Sequence, residues 1–118
     1  MYSAQNSKEL QERLIQFTLS IISLSKLLSK TSENLIISNQ IVRSASSVGA
    51  NYAEAIYSYS RPDFIHNIKI CKKEAGETLY WLELLERTSP KQNISKIKLE
   101  CTEILRIFVA IVKSSQGK

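Results

Sequence analysis

The chain has 118 residues and a mass of 13.4 kDa, with 43% hydrophobic and 23% charged residues. A chain of this size buries about two thirds of its unfolded surface, so a single core needs no metal or disulfide staple, and the composition is not that of a disordered tail. Three glycines and two prolines leave little room for the turns of an all-β sandwich, so one folded domain is expected over residues 1–118.

Sixteen Lys and Arg against eleven Asp and Glu give a net charge of +5, unevenly spread. Residues 1–59 hold five basic and four acidic groups, residues 60–118 hold eleven and seven, and residues 91–118 alone hold six and two, a local +4. That excess favours an anionic partner near the C-terminal quarter. Cys71 and Cys101 lack C-x-x-C spacing and fall on apolar helix stripes, as reduced core residues of a cytosolic protein do. The N-terminal MYSAQNSKEL has neither the basic start nor the apolar stretch of a signal peptide. The longest uncharged run, Leu14 to Ser25, is 12 residues with five polar members, short of the roughly 20 apolar residues of a membrane span. A cytoplasmic protein without membrane contact is expected.

In chain order, the first helix is predicted from Asn6, with Glu9 completing a capping box, to about Lys30. Leu10, Leu14, Phe17, Ile21, Leu24 and Leu28 are spaced 4, 3, 4, 3, 4 and hold one face. A second helix, about 33–59, follows Thr31 and Ser32 with Ile37, Ile41, Ala45, Val48, Tyr52, Ala55 and Tyr59 on its seam. Ser60 and Pro62 start a third helix, about 61–88, since proline is tolerated only in a first turn. Its seam is Phe64, Ile68, Cys71, Ala75, Thr78, Leu82 and Leu85, and Ser89 and Pro90 end it. A fourth helix, about 93–115, carries Ile97, Cys101, Ile104, Phe108 and Ile111. Helices of about 33 to 40 Å joined by a few residues must run antiparallel, so the fold class is all-α, an up-down-up-down four-helix bundle.

A helical wheel puts Ile15, Leu19 and Ile22 roughly 120 to 180° from Leu10, and Leu99, Ile107 and Val109 far from the fourth seam. Apolar residues beyond what one bundle hides predict a homo-oligomer interface.

RSASSVGANYAEA, Arg43 to Ala55, and DFIHNIKICKKEAGETLYWLELL, Asp63 to Leu85, resemble the small four-helix-bundle proteins encoded in intervening sequences of bacterial 23S ribosomal RNA genes, the S23 ribosomal protein family. Arg43, Ser44, Ser47, Val48, Asn51, Glu54 and Ala55 match the first signature; Asp63, Phe64, Lys73, Glu74, Ala75, Glu77, Thr78, Trp81 and Leu82 match the second. The resemblance implies a bacterial protein that assembles as a ring-like pentamer. More distantly, the chain resembles the accessory protein of diversity-generating retroelements, with its nucleic-acid and reverse-transcriptase partners.

Arg43, Ser47, Asn51 and Glu54 form a polar stripe beside the second seam, and Glu74 and Glu77 flank the third. A half-buried arginine needs a carboxylate, so Arg43 is expected to meet Glu74, Glu77 or Glu54 in a structural polar network. Ala45, Gly49 and Ala53 remove bulk and allow a close helix approach. For nucleic acid, Lys69 and Lys73 align with Tyr80 on the third helix, a basic row ending in a ring that stacks on unpaired bases. Lys98, Arg106 and Lys113 form a second row on the fourth. Five copies of +5, about +25 together, would pool weak phosphate contacts.

His66 is the lone histidine, and no nucleophile has an orienting partner. No metal spacing, phosphate-binding glycine loop or dinucleotide fingerprint is present, so no catalysis, metal or cofactor is expected. The expected function is a non-enzymatic homo-oligomer that binds RNA or other nucleic acid through basic outward faces. The alternative is an oligomeric adaptor for a protein partner such as a reverse transcriptase or ribosomal component.

Overall fold

The structure, a computed structural model, describes residues 4–116, all helices and short connections: α1 (Ala4–Leu27), α2 (Ser32–Ile56), α3 (Arg61–Thr88) and α4 (Ser95–Gln116). Helices of 22 to 28 residues are roughly 33 to 42 Å long, close to the 46 Å length of a molecule only 21 Å across. Connections of at most six residues reach no more than about 20 Å, so each helix must return alongside its predecessor. The result is an up-down-up-down four-helix bundle. Packing is richest between α2 and α3 and thinnest between α1 and α4.

Local chemistry sets the helix ends. Thr31, with extended backbone, accepts a hydrogen bond from the Asn34 N–H at 3.2 Å, and the buried Asn34 amide donates to the Ser29 carbonyl at 3.0 Å. These bonds tighten the turn and end α1 at Leu27 rather than Lys30. Leu28 stays buried as an anchor beneath the turn. Ser60 caps α3 by accepting from the Asp63 N–H at 3.2 Å. The expected capping box at Asn6 is corrected: α1 already runs from Ala4, which puts Asn6 inside its first turn. Ala4 and Gln5 are good helix formers that do not stop the helix short.

The seams form one core. All six α1 seam residues are buried, as are Ile68, Cys71, Ala75, Thr78, Leu82 and Leu85 of α3, while Phe64 is half-buried. Tyr52 meets Phe108 edge to face, with ring centroids 5.9 Å apart. Besides Phe64, three seam assignments change, one of them Ile97, which is only half-buried. Tyr59 is 100% exposed, because the extended cap at Ser60 forces the chain to turn over residues 57–59 and α2 stops at Ile56. In α4, Val112 takes the fully buried place and Ile111 only a half-buried one, since a straight helix drifts from a strict 3.5-residue repeat. Ile94, just ahead of α4, is buried and accepts the first helical bond from the Lys98 N–H, so α4 begins at Ser95.

Both cysteines are free and buried, with Cys71 Sγ 3.4 Å from the Val48 carbonyl and Cys101 Sγ 3.5 Å from that of Ala75. Burial pushes each thiol up to about 12.

Candidate nucleic-acid interface

The polar network lies where α2 crosses α3. Arg43, the twelfth residue of α2, donates from Nη1 to Glu74 Oε1 at 3.3 Å and from Nη2 to Glu77 Oε2, while Trp81 Nε1 donates to the same Glu77 oxygen at 3.1 Å. The Trp81 bond first, then Arg43, holds the Glu77 carboxyl below its ordinary value; the Glu77 bond holds the Arg43 guanidinium above its own. Beneath them a buried hydroxyl pair, Ser44 and Thr78, sits at 2.7 Å, and Thr78 also donates to the Glu74 carbonyl. Asn51 turns back on its own helix, donating to the Ser47 carbonyl and hydroxyl at 2.8 and 2.9 Å. Glu54 does not meet Arg43, because eleven residues of helix separate them by about 16 Å along the axis. The Trp81–Glu77 bond is an i, i+4 contact within α3, whereas the hydroxyl pair and the Arg43 bonds depend on the register between α2 and α3.

The two basic rows have different surroundings. Lys69 and Lys73 are exposed on α3, and so is Tyr80, 58% exposed and set edge to face against Trp81 with centroids 5.1 Å apart. The α4 row is not a free cationic stripe. Lys98 bridges to Glu83 and, at 2.8 Å, to Glu86 of α3; Arg106 meets Glu103 at 3.2 Å. The Glu83 bond holds the Lys98 ammonium above its ordinary value. Only Lys113 of that row is without an ion pair among the described residues. A wheel of α4 alone does not show Glu83 and Glu86 waiting on the neighbouring helix.

The outward apolar residues divide as well. Ile15, Leu19, Leu99 and Val109 are 53%, 49%, 64% and 42% exposed, but Ile22 is half-buried and Ile107 packs against the core. Ile15 and Leu19 border a groove of about 310 Å³ floored by Gly49, Ala50 and Ala53 of α2. A Cβ added at Gly49 would lie 3.7 Å from Leu14 Cβ, an ordinary contact, so the approach of α1 does not require glycine there. Leu99 borders a second groove, about 550 Å³, where α1 and α4 diverge above Phe17 and Ile97. Across that divide Arg13 forks onto Glu100 at 2.7 and 2.8 Å.

His66 is exposed. Among the described residues no three His, Cys, Asp or Glu side chains converge as metal ligands, and no helix is long and apolar enough to cross a membrane.

These features define a small all-α bundle whose chemistry lies on its outer faces. The chain belongs to the 23S rRNA-intervening sequence protein family, whose model matches residues 6–110. Among solved structures it is similar to a protein of unknown function from the S23 ribosomal protein family of Bacteroides thetaiotaomicron, with 39% identity and a TM-score of 0.79 over 87% of this chain and 97% of that one. No curated protein matches the chain.

Proposed function

We propose that the protein is a non-enzymatic, cytoplasmic homo-oligomer, a pentamer, that binds RNA through outward basic helix faces. The observation that carries this reading is the α3 row, where Lys69 and Lys73 stand exposed beside Tyr80. Lysines neutralise phosphates, and an exposed ring stacks on an unpaired base whatever its identity. The family's description, which ties its members to 23S rRNA intervening sequences, agrees with an RNA ligand. One row gives little affinity. Self-association through Ile15, Leu19, Leu99 and Val109 would place several rows on one particle and convert weak contacts into avidity.

Light scattering with and without RNA tests this directly. The expected mass is about five times the 13.4 kDa of one chain, rising further when RNA is added, with affinity that falls steeply between low and high salt. A 13.4 kDa particle indifferent to RNA would end the reading. The exposure of Leu35 and Ile36 at the start of α2 favours a second reading, an adaptor that holds a protein partner. Recovery of the same partner after nuclease treatment would support it.

A further inference from the structure

The bundle is electrically lopsided along its axis. Because successive helices run antiparallel, the α1–α2 and α3–α4 turns share one end, and a hollow of about 370 Å³ lies between them, lined in part by Ser29, Thr31, Asn34, Ser89, Lys91 and Gln92, with Glu33 the one acidic residue of its wall. Lys91 lines it, and the same end of the bundle carries Lys26 in the last turn of α1, Lys30 in the α1–α2 turn, and Lys96 in the first turn of α4. All four are exposed, and none is in an ion pair among the described residues.

The other basic groups of this end are neutralised locally, Lys98 and Arg87 by Glu83 and Glu86. Residues 26–36 sum to +1 (Lys26, Lys30, Glu33) and residues 83–98 to +2 (four basic, two acidic), so +3 of the chain's +5 sits here. At the opposite end, residues 4–9, 54–66 and 110–116 sum to zero: Lys8, Arg61 and Lys113 against Glu9, Glu54 and Asp63.

We infer that this lysine-rimmed end is a further RNA-contacting surface, distinct from the α3 row, that grips the sugar–phosphate backbone. The inference rests on the RNA-binding reading above. Lysines act as point charges toward phosphate. The hydroxyls and amides of Ser29, Thr31, Ser89 and Gln92 suit phosphate oxygens and ribose hydroxyls. Exposed Leu27, Leu35 and Ile36 flank the same end, but the hollow itself offers hydrogen-bonding groups that an acyl chain cannot use.

The test titrates the full-length chain into a fluorescently labelled RNA hairpin with single-stranded flanks, across a salt series. Replacing Lys26, Lys30, Lys91 and Lys96 together by Ala should weaken binding by more than about tenfold at ~0.1 M salt and lower the log–log salt slope by about 3, since each phosphate contact contributes 0.7 to 0.9. Arg at the same four positions should keep the affinity, which shows that charge rather than folding was lost. Lys8→Glu removes two charge units from the opposite end and should change affinity by less than about twofold, whereas Lys26→Ala with Lys91→Ala, an equal change in net charge, should lose several-fold. If the wild type binds RNA and the Ala quartet binds equally well, this surface is refuted while RNA binding stands. If the wild type binds no RNA, both fall; capture by phosphatidylserine vesicles in place of RNA would overturn them equally.

Discussion

Arg43 holds two carboxylates of a neighbouring helix at once, and one of them, Glu77, shares its oxygen with the Trp81 indole. The sign of the resulting pH dependence follows from the folded state keeping Glu77 ionised more readily than its ordinary 4.5. Its contribution to stability is complete above that value and is lost as pH falls toward the lowered one. Denaturant midpoints measured from pH 7 down to pH 3 should therefore drop in the acid range, and Glu77→Gln, which retains an oxygen for Trp81, should make that drop shallower. Glu83, also held low by Lys98, keeps part of the drop in place. The choice of Glu74 and Glu77 over Glu54 was partly legible in the spacing of α2, because an arginine side chain cannot span three helical turns. The contact of Trp81 was legible in the same way, since it stands four residues after Glu77 on α3; that the shared oxygen also meets Arg43 was not, because it depends on the register between α2 and α3.

At the scale of the element, periodicity carried the helices and local hydrogen bonds decided their ends. The seam of α3, spaced 4, 3, 4, 3, 4, 3, lies in the core almost throughout, and Ser60 before Pro62 marks its start. Tyr59 shows where a repeat misleads: it continues the α2 spacing into a segment that must turn to give Ser60 its extended backbone. Gly76 is the weak point within a helix. A Cβ there would meet nothing within 4 Å, and no turn or positive φ requires glycine. Gly76→Ala should raise the unfolding free energy by about 0.5 to 1 kcal/mol by thermal or chemical denaturation, with helicity unchanged. The α4 row shows the opposite case to Tyr59. Its spacing is real, but Lys98 reaches sideways to α3, and a single helix says nothing about its neighbour's carboxylates.

For the whole molecule, the bundle was readable because four amphipathic stripes and three short connections admit few arrangements. Its outer surface was less so. A wheel assumes one buried face, yet Ile107 lies against the core from beside the seam, and Ile22 is half-covered, because each helix touches two neighbours. Ile15 and Leu19 remain the open pair, on a groove floored by small α2 residues. Ile15→Glu with Leu19→Glu should therefore leave circular dichroism and the unfolding midpoint nearly unchanged while reducing the scattering mass to that of one 13.4 kDa chain. An unchanged assembly would move the interface elsewhere on the bundle.

The two thiols make the molecule chemically quiet. With Cys71 and Cys101 enclosed and pushed up to about 12, almost no thiolate exists at neutral pH to meet an oxidant, an alkylating reagent or another chain's sulfur. Any association between copies is thus non-covalent, and it persists or dissolves with concentration and ionic strength rather than with redox conditions.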